Sequence, residues 1–583
     1  LPIRAEDSTL YWAEKIGDGY SSGAVSCPIL VDGDLVVYAG TSLHRVDAVT
    51  GKIKATGTME RGSANATVPP TYADGMILIP LSEGTVQAFD AQTLQSLWVY
   101  HDPLRGQPVC PITVCGDYLY VGFWKSETED ANFVCLTLTD EDPEKTNEEK
   151  TACWYRTQTG GFYWAGAYAC EDYVLVGTDN GAGEKEQNVC GNLLMLDART
   201  GAQLDIWTGL RGDVRSTVCY DGNAFYFTTK GGLFCGVQTE KTTDGWRLKE
   251  SSKWTVELTN GTSTTAMSTS TPVVYNGRAY VGVCGSSQFM TFSGHNLSVI
   301  DLTTHSIAYK VATRGYTQTS GVLTTAYEKK TGKVYVYFFD NYSPGVLRVL
   351  EDAPGQTQPS YLTVENGKNT PYILFTPSRG HAQYALCSPV VDENGVIYFK
   401  NDSGYLMAFG PSVKLELTQQ PKKTEYAAGE KFDAKGMKAE LVYANGSRHD
   451  VTDYVQYSTD ALTAQDAEFT VRFPYVLYHD QQVDGVWTTN VDTTVPTATL
   501  TLTITGDAPT VLYGDVNGDG KIDVTDVTML QRRIAQLLTA EEQAKFQTQN
   551  ADVSGDGKID VTDVTLLQQR IAQLISRFPA EGE

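Results

Sequence analysis

The feature that most restricts the fold of this chain is a strand-and-turn pattern that recurs eight times across its first 410 residues. Each copy has a short strand around a Pro-Val or Pro-Ile pair, an Asp-Gly or Asn-Gly turn, a strand of Tyr and Val, and an apolar strand ending in Asp. The first reads Cys27-Pro28-Ile29-Leu30, Asp32-Gly33, Leu35-Val36-Val37-Tyr38, then Val46-Asp47-Ala48 and Thr50-Gly51. The second reads Pro69-Pro70-Thr71, Asp74-Gly75, Met76-Ile77-Leu78-Ile79, then Ala88-Phe89-Asp90-Ala91 and Leu97-Trp98. Further copies begin near Pro111, Ala169, Val218, Pro272, Val322 and Pro389. β-Branched and aromatic runs between glycine turns read as antiparallel strands. Repeats of roughly 40 to 65 residues suit the four-stranded blades of a β-propeller.

The last copy ends at Ala408-Phe409-Gly410 without its outer strand, and Leu10-Tyr11-Trp12-Ala13 offers a spare one. Joining the two closes the ring and removes free sheet edges. The Asp-Ala-x-Thr-Gly turn with its following Trp resembles the pyrroloquinoline-quinone-type propeller repeat over about residues 8–410. That resemblance implies the fold. The quinone dehydrogenases of that group carry adjacent cysteines over the cofactor; no Cys-Cys pair occurs here, so no quinone is expected.

After Gly410 the texture changes to short alternating strands, such as Met437-Lys438-Ala439-Glu440-Leu441-Val442-Tyr443, with a hairpin signal at Asn445-Gly446. In about 95 residues this indicates a small β-sandwich. Its entry, Pro421 to Glu430, resembles that of bacterial immunoglobulin-like domains, which implies a spacer. The expected boundaries are therefore 1–410 for the propeller, 411–507 for the sandwich and 508–583 for a helical remainder.

That remainder contains two near-copies. Residues 515–538 and 552–575 align without gaps and differ only at 517/554, 529/566, 532/569 and 538/575. Each opens with a loop whose oxygens fall at positions 1, 3, 5, 7, 9 and 12, the spacing that surrounds a hard calcium ion. The first set is Asp515, Asn517, Asp519, the Lys521 carbonyl, Asp523 and Asp526. The second is Asp552, Ser554, Asp556, the Lys558 carbonyl, Asp560 and Asp563. Gly520 and Gly557 stand where the loop must turn sharply. The helix that follows carries Val527, Leu530, Ile534 and Leu537 at helical spacing, repeated as Val564, Leu567, Ile571 and Leu574.

A duplicated loop-then-helix unit with no entering helix resembles a type I dockerin. The resemblance implies two Ca²⁺ ions and, as partner, the cohesin domain of a scaffoldin. It maps the cohesin-binding residues onto Val524, Thr525, Gln531 and Arg532, and again onto Val561, Thr562, Gln568 and Gln569. It also implies a secreted protein, extracellular or held at the cell surface through the scaffoldin. Near-identity of the copies predicts that either helix can face the cohesin.

A net charge of −25 and a pI near 4.7 argue against nucleic acid as a partner. No apolar run of about 18 residues appears, so membrane insertion is not expected. Eleven cysteines, none adjacent or in a C-x-x-C pair, read mainly as small buried hydrophobes. Gly19-Tyr20-Ser21-Ser22-Gly23 fits the G-x-S-x-G pattern but sits between two expected strands, where no nucleophile elbow forms. Aromatic residues Trp124, Trp154, Tyr155, Tyr163 and Trp164 flank an acid-rich insertion, Ser126 to Lys150, and form a candidate sugar platform, because pyranose C–H faces match a π-face. With no recognisable catalytic motif, a non-catalytic propeller that binds a polysaccharide or protein is favoured. The alternative is a polysaccharide lyase or glycosidase built on it.

Overall fold

The computed structural model describes all residues except 21–22, 64–67, 180, 182–190, 260–269, 286–293, 445, 474–476, 484–485, 493–495, 507–510 and 583; between 477 and 492 it describes the backbone alone. The chain divides into two compact units. One comprises 1–416, 439–455 and 472–497; the other comprises 417–438, 456–471 and 498–583.

In the first unit the described residues form eight sheets of four or five strands. In the first sheet Ile29–Val31, Asp34–Ala39, Ser42–Asp47 and Ile53–Thr58 lie side by side in chain order. Both turn residues between the first two strands, Asp32 and Gly33, have positive φ (50° and 79°). That is the two-residue hairpin turn whose twist matches the strands, and it explains the recurring Asp-Gly and Asn-Gly pairs. Asp74-Gly75 and Asn276-Gly277 repeat the geometry.

The strands that open the repeats, from Ile29–Val31 to Val390–Val391, each lie at an edge of their sheet or directly start it. Residues just before them line a single cavity of about 260 Å³: Cys27, Pro69, Val109, Trp164, Thr217, Thr271, Thr319 and Leu386, one from every sheet. Eight sheets therefore meet around a common axis, which is the propeller arrangement.

The ring closes as the sequence predicts. Ser8–Lys15 pairs antiparallel with Tyr405–Pro411, Leu10 opposite Phe409 and Ala13 opposite Met407. Trp12 is 1% exposed and donates from Nε1 to the Ala48 carbonyl at 3.0 Å in the neighbouring sheet. The turn it meets is held by Asp47, whose carboxylate accepts from the Val49 and Thr50 amides. A Cβ on Gly51 would come within 2.5 Å of the Trp12 ring. The Asp-x-x-Thr-Gly turn and the tryptophan of the preceding sheet are thus one packing device, with Gly needed for both the φ of 75° and the close approach. Trp154 repeats it, donating to Ala198 at 3.1 Å and lying against Gly201. Trp98 donates to Leu138 at 3.2 Å.

The stretch from Ser126 to Lys150 is not wholly an insertion. Asp130–Thr137 is a regular strand of the third sheet, between Tyr118–Gly122 and Trp154–Thr159. Only the residues after it depart from the four-strand plan; Glu148–Lys150 adds in parallel to Ser96–His101 of the preceding sheet.

Residues 439–455 belong to the first unit, where Tyr454 Oη donates to Asp47 at 2.8 Å and the Tyr443 ring meets Tyr11 edge-on at 6.4 Å. Of the expected Asn445-Gly446 hairpin signal, Asn445 lies outside the described residues and Gly446 has φ 85°. In the second unit Glu425–Ala427 pairs in parallel with Thr503–Thr505, and Phe432 stacks on Phe469 at 4.2 Å.

The C-terminal part of the second unit is helical. Val524–Ile534 and Val561–Ile571 are joined by two short helices, Ala540–Lys545 and Thr548–Ala551. Both long helices start in a capping box, with Asp523 and Asp560 as N-caps and Asp526 and Asp563 reaching back. Val527, Leu530, Val564 and Leu567 face a shared core with Val516, Val553 and Phe578.

Candidate functional site

Two places gather chemistry. The first is the pair of acidic loops. In the first loop Asp515 accepts from the amides of Asp519 and Gly520 at 3.0 and 2.9 Å, and Asp519 accepts from Lys521 at 2.9 Å. Asp526 accepts from Val516, Asn517 and Asp523 amides at 2.8, 3.0 and 2.8 Å. The second loop repeats this: Asp552 accepts from Gly555 and Gly557, Asp556 from Lys558, and Asp563 from Ser554 and Asp560. Gly518, Gly520, Gly555 and Gly557 all have φ between 71° and 82°, so the chain wraps tightly around its own carboxylates.

Asp526 and Asp563 are fully buried, and among the described residues neither pairs with a cationic side chain. Burial pushes the Asp526 carboxyl above its usual range in spite of its three amide donors. The donor set is oxygen throughout and rich in buried negative charge, which fits a hard divalent cation. Lys521 and Lys558 can offer only their carbonyls in this role, since an ammonium group has no lone pair to give a cation.

Around these loops Val524 and Val561 are 67% and 69% exposed, and Thr525, Thr562, Gln531 and Gln568 are exposed beside them. Arg532 bonds the Leu537 carbonyl and Glu542, at 2.9 and 3.0 Å, and Gln569 is half-buried. Leu537 and Leu574 depart from expectation. The helices end at Ile534 and Ile571, the chain reverses at Gln536 and Gln573 (φ 57° and 60°), and both leucines emerge exposed. Glutamine rather than glycine holds the left-handed position, so the usual stop signal is missing from the sequence.

The second place is one mouth of the axial channel. Of the five aromatic residues singled out above, Trp124, Tyr163 and Trp164 come together: Tyr163 lies 4.7 Å from Trp124 and 4.6 Å from Trp164 between ring centres. Trp154 does not join them, being buried in the inter-sheet packing described above. Tyr155 points the other way along the same strand and is 56% exposed.

Beneath the three rings lies a charged cluster that sequence reading did not single out. Arg215 makes two bonds to Asp179, 2.9 and 2.6 Å, and one to Glu127 at 2.8 Å. Asp213 lies 3.5 Å from the same guanidinium, which also stands 4.3 Å over the Tyr163 ring. Trp124 Nε1 donates to Asp179 at 3.1 Å. Burial, opposed by Arg215 but aided by Asp213 and Glu127, pushes the Asp179 carboxyl up to about 7. Oxygens of the three acids approach within 4.8 Å of one another, but Arg215 already fills the space between them.

Above it opens a cavity of about 670 Å³, bordered by Tyr20, Tyr163, Trp164, Asn341, Tyr384 and Asp402. It shares Trp164, Gln318 and Leu386 with the axial cavity. Tyr20 belongs to the G-x-S-x-G match, whose Ser21 and Ser22 lie outside the described residues. The next regular element is the strand Ile29–Val31, not the helix of a nucleophile elbow.

Comparison with known proteins agrees with the duplicated loops and the repeats. A family model described as "Dockerin type I domain" matches residues 513–572, and one described as "Outer membrane protein assembly factor BamB" matches residues 3–132. Endo-1,4-beta-xylanase Y of Acetivibrio thermocellus is 35% identical over 96 residues, which are 16% of this chain and 7% of the xylanase. The chain thus spans a small fraction of that relative. Among solved structures, BamB from Moraxella catarrhalis is 14% identical with a TM-score of 0.42, over 69% of this chain and 99% of that one. Quinohemoprotein alcohol dehydrogenase from Comamonas testosteroni is 12% identical with a TM-score of 0.47, over 72% and 79%. Among the described residues no helix is long and apolar enough to cross a membrane.

Proposed function

Because the chain carries a type I dockerin at residues 513–572 and a PQQ-like, BamB-type repeat domain at its N-terminus, we propose that it is a secreted component of a cellulosome-like complex. It attaches through the dockerin to the cohesin domain of a scaffoldin, and its propeller presents a polysaccharide or protein ligand. The reading divides the chain into a propeller (1–410), an immunoglobulin-like spacer (411–507) and the dockerin (508–583).

One observation carries it: a duplicated loop and helix whose buried Asp526 and Asp563 pair with no cationic side chain among the described residues, while Val524 and Val561 beside them stand in solvent. Two calcium ions, when bound, supply that positive charge. Asp515, Asn517, Asp519, Lys521 O, Asp523 and Asp526 would hold one, and Asp552, Ser554, Asp556, Lys558 O, Asp560 and Asp563 the other. Asp523 and Asp560 also cap their helices, so the same residues that would face the ion orient Val524-Thr525 and Val561-Thr562. The exposed Leu537 and Leu574 extend each apolar patch.

Titration calorimetry of the full chain against a panel of type I cohesins tests this. At least one cohesin should bind in calcium and none in EDTA; equal binding in both, or none in calcium, would overturn the docking role. Changing Val524 and Thr525 to Asp should leave binding nearly intact, whereas the same change in both copies should abolish it.

A non-catalytic propeller is favoured because the sequence carries no recognisable catalytic motif. Release of reducing sugar from any polysaccharide would replace this with the enzyme reading.

A further inference from the structure

The mouth of the axial channel has features that a generic binding face lacks. Its volume of about 670 Å³ falls within the roughly 300–1,000 Å³ of small-ligand sites. Four aromatic residues from three parts of the chain border it: Tyr20, 81% exposed, with Tyr163, Trp164 and Tyr384. Trp164 is held at φ 55°, a backbone conformation that costs a non-glycine residue about 1–2 kcal/mol. That strain places its indole on both the mouth and the axial cavity. Its Nε1 is buried and has no hydrogen-bond partner among the described residues. A donor left so costs free energy.

The polar groups opposite are amides. Asn341 Nδ2 donates to Gln318 Oε1 at 2.7 Å. Among the described residues neither Gln318 Nε2 nor Asn341 Oδ1 has a further partner, so the pair offers one donor and one acceptor. A pair of neighbouring hydroxyls on a sugar ring offers the matching acceptor and donor, and its C–H face matches the aromatic rings.

Charge selects among such ligands. Of the cations in this region, Arg215 is held by Asp179 and Glu127, Lys230 lies 3.9 Å from Glu127, Lys400 is buried near Asp402, and Lys15 donates to the Ser403 carbonyl at 2.7 Å. Asp402 is the charged member of the described lining, and the whole chain carries −25. An anionic ligand would meet Asp402 at the lining and the net negative charge of the chain.

We infer that this mouth binds a neutral oligosaccharide, stacked on Tyr20 and Trp164 and hydrogen-bonded by the Gln318–Asn341 amide pair. The inference rests on the reading that the propeller presents a ligand, and it commits that reading to a sugar without carboxylates.

Calorimetry and intrinsic fluorescence of the full chain in calcium, with cellohexaose, xylohexaose and hexagalacturonic acid as probes, test it. At least one neutral probe should bind and shift the tryptophan emission, while hexagalacturonic acid should bind at least tenfold more weakly. Tyr20→Ala, at an exposed position, should weaken the neutral probe about tenfold, and Gln318→Ala should weaken it similarly. Both variants should keep cohesin affinity and melting temperature. EDTA should leave sugar affinity within twofold, so loss of cohesin docking cannot be mistaken for failure at the mouth. Tighter binding of the uronate, or a protein bound at this face with no sugar, would overturn the inference. If a neutral polysaccharide bound the chain but ignored both variants, this site would be wrong while the broader reading stood. No binding of any sugar would remove both.

Discussion

The acidic loops and the propeller mouth solve the placement of polar groups in opposite ways. In the loops every expected ligand lies within a 12-residue stretch, and the backbone amides of the same stretch hold the carboxylates in place. At the mouth, Tyr20, Trp164, Gln318 and Asp402 come from opposite ends of a 400-residue ring. In the loops the buried Asp526 and Asp563 pair with no cationic side chain among the described residues. At the mouth Arg215 holds Asp179 and Glu127, with Asp213 at 3.5 Å. One site is local and dependent on a ligand; the other is long-range and built by packing.

The strongest way to break this comparison is to open the ring. Trp12→Ala removes a buried indole that joins the last sheet to the first, and should cost the propeller about 3–5 kcal/mol. Differential scanning calorimetry should show that transition fall while calcium-dependent cohesin binding persists; loss of both together would show that the two regions are not independent.

Arg215→Gln probes internal neutralisation. Without the guanidinium, the buried Asp179 and the half-buried Glu127 lose their strong partner, a change worth about 3 kcal/mol. Thermal melts should register it, and an unchanged melting temperature would mean that the cluster carries little weight.

Replacing Asp526 and Asp563 together by Ala should weaken cohesin binding by roughly a hundredfold, about 2.7 kcal/mol. The propeller transition should not move. Retained affinity would remove calcium from the docking step.

The smallest effect is a slope with pH. A carboxyl raised from 3.8 to about 7 keeps its proton in the folded chain after the unfolded chain has lost it. The unfolded state then binds fewer protons, so stability contributed at Asp179 is present below about pH 4, declines as pH rises towards 7, and is flat above. Melting temperatures of wild type and Asp179→Asn measured from pH 4 to 8 should converge or cross in that window. Parallel curves would show that Asp179 titrates normally.

How far each region can be read from residues alone follows from the same contrast. The eight repeats, the closing strand at Leu10–Ala13 and both acidic loops were legible, because turns, alternation and ligand spacing are short-range properties. The helix ends were less so. Leu537 and Leu574 continue the apolar spacing, and only the reversal at Gln536 and Gln573 puts them in solvent. Trp154 and Trp164 look alike in sequence, yet one is buried against Gly201 and the other borders two cavities.

Composition and spacing alone were enough to specify a repeating β architecture with a calcium-type double loop at its end. An oxygen ligand set within 12 residues needs no more than a local backbone path, and a hairpin turn no more than two positive φ angles. The Arg215 cluster, the fate of each tryptophan and the aromatic mouth required the folded ring. Their members approach only after eight sheets have packed around one axis, and nothing in the spacing of Glu127, Asp179, Asp213 and Arg215 encodes where that axis runs.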